Sequence, residues 1–344
     1  IIMNINKTVI ITGIAGFIGY NLAIKLCQSG YRIIGIDNLS SDKAYYISRL
    51  RIRNLGIAPK SDILYKSTIF DNLLFYKLDL YHNWDQVCEI LQSEKIFAVC
   101  HLAARTGVRD ASIDAQNYIL NNIWVFQNIS QYCADNKIFL LYASSSSVYG
   151  DSLEIPHNEG SLLRPKNIYA LTKFTDELIA KQLSNSGGLK SIGLRFFSVY
   201  GPWGRPDMAY FIFLHSIINN KPIQVLGDGT DTRDYTFVGD IVYAIEQILK
   251  KYPDLKYGVY NIGNGHPISV NEVITHLEEI TNKKAIINYQ ESSSIEMRCT
   301  NADNSLLFSE LAWTPNTTFN EGINKFVDWA LSNKEIWNDF NIGN

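Results

Sequence analysis

The chain has 344 residues, of which 46% are hydrophobic and 19% are charged, with a formal net charge of −3. This composition is typical of a globular protein and excludes a disordered chain, and the length suits two domains. No block of lysine and arginine stands out, so neither nucleic acid nor a membrane is an expected partner. The five cysteines are scattered without a C-x-x-C pair, which predicts reduced thiols in a cytoplasmic protein.

Up to about residue 200, short apolar runs alternate with longer amphipathic stretches. A helix is predicted from Gly16 to Ser29, and the predicted strands are TVIITG, RIIGID, FYKLDL, FAVCHLAA, IFLLYASS and SIGLRFFSVYG. Strands that alternate with helices in this way predict a parallel sheet with helices on both faces. In such a sheet, ligands bind beyond the carboxyl ends of the strands.

After residue 200, the strand runs shorten and turn signals multiply, in GPWGRP, GDGTD and GNGHP. Two helices are predicted there, VGDIVYAIEQILKK and SVNEVITHLEEITN. The pattern predicts a smaller α+β substrate domain over residues 201–344, beside a larger cofactor domain over residues 1–200. The chain is free to cross back between the two. Residues 38–72 form a long, polar, tyrosine-rich excursion from the first of these domains.

A glycine-rich turn follows the first predicted strand. In VIITGIAGFIG, Gly13, Gly16 and Gly19 are three residues apart, after a strand and at the start of a helix. Glycines there let the backbone approach a pyrophosphate, which the amides of a helix N-terminus bind. Asp37 ends the second strand, where a carboxylate accepts hydrogen bonds from an adenosine ribose and repels a 2′-phosphate. The sequence therefore predicts NAD on a Rossmann-type, doubly wound α/β sheet.

The spacing G-x-x-G-x-x-G resembles that of the extended short-chain dehydrogenase/reductase family, and the likeness runs from about residue 8 to about residue 330. KLDL stands where that family contacts adenine, and HLAA stands along its cofactor. The resemblance also implies a homodimer and a chemistry that needs no metal, and the histidines show no spacing typical of a metal site. The implied cofactor contacts are Gly13, Gly16, Phe17, Ile18, Gly19, Asp37, Asn38, Asp79, Leu80, Leu102, Ala103, Ala104, Asn122, Tyr169 and Lys173.

NIYALTKFTDE places Tyr169 and Lys173 four residues apart, on one face of a predicted helix. A phenol has a pKa of about 10 and is a poor base at neutral pH. A neighbouring ammonium and a positive nicotinamide ring stabilise the phenolate, so the resemblance implies that Tyr169 is the catalytic base. Lys173 would also hold the nicotinamide ribose. In SSSSVYG, the family's catalytic serine or threonine stands three residues before Val148, at Ser145.

The two residues after Ser145 discriminate among the reactions of the family. Relatives that dehydrate a nucleotide sugar carry Asp-Glu there, and relatives that decarboxylate one carry a glutamate, because elimination or enolisation needs an acid/base beside carbon 5. Ser146 and Ser147 occupy these positions here. The pattern favours oxidation and re-reduction at carbon 4, which is the reaction of an NAD-dependent UDP-sugar 4-epimerase.

GLRFFSVYGPWGRPDMA, together with YASSSSVYG, resembles the UDP-glucuronate 4-epimerases of this family. The resemblance implies small hydroxyl residues and an arginine around the sugar carboxylate, and arginines that clamp the UDP diphosphate; a guanidinium fork suits both anions. Three positions depart from the family pattern: Arg105, Asp110 and Gly239. The candidate substrate residues are Arg109, Ser144, Ser145, Ser146, Ser147, Ser198, Arg205, Arg233 and Arg298.

Other functions remain open on sequence grounds. A 4-epimerase of UDP-glucose and UDP-galactose, or of UDP-N-acetylglucosamine, would share every catalytic residue. The pattern also leaves room for a nucleotide-sugar dehydratase and for a catalytically silent NAD-binding protein. The silent protein typically lacks the tyrosine or the lysine, and both are present here.

Overall fold

The computed structural model describes residues 7–40, 45–150, 152, 154–291 and 298–337, without the side chains of residues 45 and 108–110. The strands are β1 (Thr8–Thr12), β2 (Arg32–Asp37), β3 (Leu64–Lys66), β4 (Leu73–Lys77), β5 (Ile96–His101), β6 (Phe139–Ser145), β7 (Ser191–Phe196), β8 (Ser198–Tyr200), β9 (Pro222–Leu226), β10 (Thr232–Arg233), β11 (Tyr235–Phe237), β12 (Gly258–Ile262), β13 (Ile268–Ser269) and β14 (Ile286–Gln290).

Helices connect most of these strands. They are α1 (Phe17–Gln28), α2 (Tyr45–Asn54), α3 (Trp84–Ser93), α4 (Val108–Ile113), α5 (Ala115–Tyr118), α6 (Val125–Asp135), α7 (Ile168–Gly187), α8 (Ala209–Ile218), α9 (Val238–Lys251), α10 (Val270–Thr281), α11 (Ser305–Leu311) and α12 (Phe319–Ser332). A π-helical turn spans Ile119–Trp124, and 3₁₀ turns span Ser146–Tyr149 and Lys334–Trp337. The predicted helix VGDIVYAIEQILKK coincides with α9.

Eight strands form one twisted sheet in the order β12-β7-β6-β5-β1-β2-β4-β3. All neighbouring pairs are parallel except β3 with β4, which is antiparallel at one edge. Helices α1 and α9 cover one face, and α3, α6 and α7 cover the other. Because both faces are covered, the central strand β1 is buried along its whole length, as its apolar sequence requires. The predicted doubly wound α/β fold is confirmed.

The second unit packs beside the carboxyl ends of this sheet. Its core joins α8, α10 and α12 with the short strands β8, β9 and β11. The pairs β8–β11 and β9–β14 are parallel, and β10–β13 is antiparallel. Two of these three pairs are parallel, and the α+β character of this unit stays a prediction.

The chain crosses back from the second unit to the large sheet. Helix α9 packs against α1, and β12 pairs with β7 at the edge of the sheet. After the predicted boundary at residue 200, the chain therefore does not stay in the second unit. The division into two domains remains a prediction. The excursion 38–72 contains α2 and β3, which the sequence pattern did not predict.

Candidate active site

The glycine turn after β1 is required by close backbone contacts. Gly13 has φ +72°, and a Cβ there would lie 2.7 Å from the backbone nitrogen of Ala103. A Cβ on Gly19 would lie 2.2 Å from the carbonyl oxygen of Gly13. Gly16 caps α1 without any side-chain hydrogen bond, and the first turn of α1 carries no acidic side chain. The amides at the start of α1 are thus not capped by a side chain, which suits a pyrophosphate.

A cleft next to the glycine turn is lined by two carboxylates, Asp37 at the end of β2 and Asp79 two residues after β4. Asp37 accepts hydrogen bonds from the amides of Ala15 and Leu39, at 3.0 and 2.9 Å. Burial raises the pKa of Asp37, and these two bonds oppose the rise. Burial also acts to raise the pKa of Asp79, but hydrogen bonds from Asn38 Nδ2, at 2.7 Å, and from nearby amides outweigh it, so that its pKa is lowered.

This cleft has a volume of about 830 Å³ including its open mouth. Most of the predicted cofactor residues line it: Gly13, Gly16, Asp37, Asn38, Asp79, Leu80, Leu102, Ala103 and Ala104. The other six predicted cofactor residues are not part of its lining: Phe17, Ile18, Gly19, Asn122, Tyr169 and Lys173. A carboxylate for ribose hydroxyls, apolar walls and a helix N-terminus for phosphates fit an adenine dinucleotide.

Asn122 lies on the π-helical turn and is 1% exposed. Its Nδ2 donates to the carbonyl of Arg105, at 3.1 Å, and to Thr172 Oγ1, at 3.0 Å. Its Oδ1 accepts from the amide of Arg105 at 2.8 Å. Both side-chain donors are therefore used within the protein, which supports a positioning role for Asn122 between the loop after β5 and α7. Its predicted contact with the cofactor stays a prediction.

Tyr169 and Lys173 lie on the first turns of α7. The helix is held at its start by Asn167, whose Oδ1 accepts from the amide of Ala170 at 2.8 Å. Tyr169 is partly buried and Lys173 is 2% exposed. The four-residue spacing puts both side chains on one face of α7. Their catalytic roles stay a prediction.

A buried carboxylate next to Lys173 was not predicted. Lys173 Nζ lies 3.2 Å from Asp176 Oδ2, and both side chains are buried. Burial raises the pKa of Asp176 to about 7, although the Lys173 ammonium opposes the rise. Beneath them, burial and then the charge of Lys173 lower the pKa of His101 to about 3, so that His101 is neutral and shares a hydrogen bond of 2.8 Å with Thr12 Oγ1.

The four serines at the carboxyl end of β6 and the start of the following 3₁₀ turn do not share one role. Ser145 caps the 3₁₀ turn by accepting from the amide of Ser147 at 3.2 Å, and its Oγ lies 3.1 Å from Ser147 Oγ. That turn packs against α7, which carries Tyr169. Ser146 is buried. The catalytic role of Ser145 and the substrate roles of Ser145, Ser146 and Ser147 stay predictions that this placement supports.

Ser144 belongs instead to a buried ionic network. Its Oγ donates to Glu177 Oε1 at 2.5 Å. Arg195 donates to the same carboxylate through Nε and Nη2, at 2.9 and 2.7 Å, and to the hydroxyl of Tyr149 at 2.8 Å. Ser144 gives its one hydrogen to Glu177 and is 2% exposed, so only its lone pairs are left for a ligand, and its predicted contact with the sugar stays a prediction.

Arg205 lies on the loop after β8. Its Nη1 donates to Thr106 Oγ1, while Nε and Nη2 donate to the two oxygens of Asp207, at 3.0 and 2.5 Å. Burial acts to lower the pKa of Arg205, but Asp207 and then electrostatic interactions with Tyr169 and Tyr118 outweigh burial, so that its pKa is raised. The predicted carboxylate-binding arginine therefore interacts electrostatically with the predicted base, Tyr169.

The two arginines predicted to clamp a diphosphate are neighbours. Arg233 lies on β10, and its Nη1 donates to the carbonyl oxygen of Arg298 at 3.2 Å. Strand β8, which begins with Ser198, pairs with β11, two residues after Arg233. These three predicted residues therefore share one edge of the second unit. The side chain of Arg109, also predicted to bind substrate, lies outside the described residues.

Residues 9–263 match the NAD dependent epimerase/dehydratase family. The chain belongs to this family. It is 35% identical over 329 residues to a UDP-glucuronate 4-epimerase of Thermodesulfobacterium geofontis, with 95% of this chain and 97% of the relative covered. Its fold is similar to that of the UDP-glucuronic acid 4-epimerase from Bacillus cereus in complex with UDP-glucuronic acid and NAD, with a TM-score of 0.85, 30% identity and coverage of 94% and 99%.

A second epimerase of this family has almost the same fold. The UDP-N-acetylglucosamine 4-epimerase from Methanobrevibacter ruminantium M1, in complex with UDP-N-acetylmuramic acid, gives a TM-score of 0.83 at 27% identity, with 95% and 99% of the two chains covered. Family membership therefore confirms an NAD-dependent enzyme of nucleotide-sugar chemistry. Within the described ranges, no helix is long and apolar enough to span a membrane.

Proposed function

We propose that this protein is an NAD-dependent epimerase that inverts carbon 4 of UDP-glucuronate and yields UDP-galacturonate through a transient 4-keto sugar. The observation that carries the proposal is Arg205, which donates to Thr106 on the loop that follows the cleft residues Ala103 and Ala104 and interacts electrostatically with Tyr169. An arginine fork on this side of the cleft suits a sugar whose carboxylate is attached one carbon from the reacting centre. Relatives named as UDP-glucuronate 4-epimerases support this substrate.

The residues of the chain divide the work of this reaction. When bound, NAD would supply the chemistry of accepting and returning a hydride at carbon 4. Tyr169 removes the proton of the carbon 4 hydroxyl, and Ser145 shares it. Lys173 stabilises the phenolate and holds the nicotinamide ribose. Since the proton and hydride are both returned, the net redox change is zero.

Binding and selectivity rest on the surrounding groups. Arg233 and Arg298 restrain the diphosphate, so that the flat 4-keto sugar turns while the UDP stays in place. Ser198 and Arg205 restrain the sugar carboxylate and thereby limit its loss as carbon dioxide. The positions after Ser145 carry no carboxylate that could catalyse elimination.

One observation favours a neutral sugar as a second candidate substrate. Asp207 already binds Nε and Nη2 of Arg205. If that pair persists during turnover, the guanidinium is neutralised and UDP-glucose or UDP-N-acetylglucosamine becomes the better substrate. The catalytic residues would be the same in either case.

We further propose a homodimer in the cytoplasm. Apolar side chains stand exposed on adjacent elements, with Leu171 and Leu178 two turns apart on α7 and Ile119 on the π-helical turn that α7 contacts. Pairing through α6 and α7 would bury them. The unpaired cysteines support a reducing compartment.

The test is to incubate the purified protein separately with UDP-glucuronate, UDP-glucose and UDP-N-acetylglucosamine, without added reductant, and to follow products by proton NMR. We expect UDP-galacturonate alone, and no product from the Tyr169→Phe variant. Turnover of only a neutral sugar would overturn the substrate and keep the catalytic residues. Release of carbon dioxide or water would contradict the role given to the serines.

A further inference from the structure

A buried arginine outside the predicted site joins the two loops of that site. Arg51 lies on α2, in the excursion 38–72, and is 2% exposed. Its guanidinium makes four hydrogen bonds within the described part of the chain, all to backbone carbonyl oxygens. Nη1 donates to Ala15 at 2.9 Å, Nε and Nη2 donate to Trp203 at 3.0 and 2.7 Å, and Nη2 also donates to Gly204 at 3.1 Å.

The first of these contacts fixes the cofactor turn. Ala15 lies between Gly13 and Gly16, which both line the cleft. Asp37 accepts from the amide of Ala15, and Arg51 donates to its carbonyl. Both backbone polar groups of this residue are therefore held by side chains from elsewhere in the chain.

The other contacts fix the loop that leads to Arg205. Trp203 has φ 64°, in the left-handed region, which bulky residues rarely adopt and which persists only where the surroundings impose it. Arg51 binds the carbonyl of Trp203 with two donors, and the indole packs on the rings of Tyr20 and Trp329, at 5.3 and 5.1 Å between centroids. Arg51 thus fixes the backbone two residues before Arg205.

Arg51 is also a buried charge that interacts with groups at both loops. Its four hydrogen bonds are to neutral carbonyls, and burying a guanidinium is costly. The Asp37 carboxylate, which accepts from the amide of Ala15, favours the charge, and the Arg205 guanidinium opposes it. Burial lowers the pKa of Arg51 to about 10, so it stays cationic at neutral pH. The electrostatic partners of this cation therefore include one group at the cofactor turn and one on the loop that follows Trp203.

We propose that Arg51 is a positioning residue that couples the cofactor turn to the loop carrying Arg205, so that NAD and the UDP-sugar strengthen each other's binding. This inference rests on the proposed function, since it requires both ligands to bind. Coupling between two binding sites is reciprocal and commonly amounts to about 5- to 150-fold in affinity. Arginine is needed because its planar fork reaches carbonyls of two loops at once, which the single ammonium of lysine cannot do.

The test measures the coupling without turnover. In a cofactor-free Tyr169→Phe protein, calorimetry gives the Kd of UDP-glucuronate with and without saturating NAD. We expect NAD to tighten binding about fivefold or more in this parent, and less than about twofold after Arg51→Lys or Arg51→Met. Arg53→Met is the matched control, because Arg53 lies on the same helix, is exposed and pairs with Glu335, and it should leave the coupling unchanged.

Each outcome decides the proposal. Coupling that survives either substitution of Arg51, or that is absent from the parent although both ligands bind, overturns it. A parent that binds neither NAD nor UDP-glucuronate contradicts the proposed function itself, which is a different result. Thermal unfolding of each variant shows whether the fold is intact, and if the methionine variant is unfolded, the lysine variant carries the test.

Discussion

Replacing the buried Asp176 by asparagine should change how the stability of the protein depends on pH. The carboxyl faces Lys173 and Glu177 on its own helix and Tyr142 on β6, and His101 on β5 lies near Lys173. Burial raises its pKa from 3.8 to about 7 in the folded protein. Its contribution to stability is therefore fully present below pH 3.8 and is lost as the pH rises through about 7.

The size of the effect follows from this difference in pKa. One pKa unit is worth about 1.36 kcal/mol, so between pH 5 and pH 8 the wild-type protein should lose about 3 kcal/mol that the asparagine variant keeps. For a chain of this size, 1 kcal/mol shifts the Tm by about 2 °C. The Tm of the variant minus the Tm of the wild type should therefore be about 5 °C larger at pH 8 than at pH 5. The neutral His101 has the opposite pH dependence, but it is present in both proteins and cancels in the comparison.

The assay is thermal unfolding of the wild type and of Asp176→Asn at pH 5 and pH 8, with Asp254→Asn as the exposed control. A Tm difference that does not change with pH would refute the reasoning, because it would mean that Lys173 keeps Asp176 ionised throughout this interval.

Three further substitutions test the cofactor turn, the buried network and the sugar contact. Gly13→Ala should abolish NAD binding in a fluorescence titration, because its Cβ would lie 2.7 Å from the backbone of Ala103 at a positive φ. Glu177→Gln leaves Arg195 without its carboxylate and should cost about 3–5 kcal/mol in chemical denaturation. Arg205→Ala should reduce kcat/KM for UDP-glucuronate by about 100-fold, a loss typical of a charged hydrogen-bonded pair, and should change turnover of neutral UDP-sugars little.

Each of these three substitutions has a control or an outcome that would contradict its prediction. Glu335→Gln breaks the exposed pair with Arg53 and should cost less than about 1 kcal/mol, so equal losses from the two glutamate variants would contradict the importance given to burial. NAD binding unchanged in Gly13→Ala would show that the turn can adjust its backbone. Equal losses with charged and neutral sugars in Arg205→Ala would assign that arginine to the loop and not to the carboxylate.

The sequence by itself determined the features that depend on local patterns. The sheet and its helices follow from the alternation of apolar runs, and α9 was predicted with its observed ends. The glycine turn and Asp37 were recognisable because a strand, a tight turn and a helix N-terminus occupy adjacent residues. The Tyr169–Lys173 pair needed only helical spacing and the family resemblance.

Only the tertiary structure decided which polar residues face the site. Ser144 and Ser145 are chemically identical neighbours, but successive side chains of a strand point to opposite sides, and Ser144 meets Glu177. Arg51 carries no local signal, because its acceptors lie 36 and 152 or more residues away in sequence. Long-range contacts of this kind depend on how the elements pack, and no pattern of neighbouring residues encodes that packing.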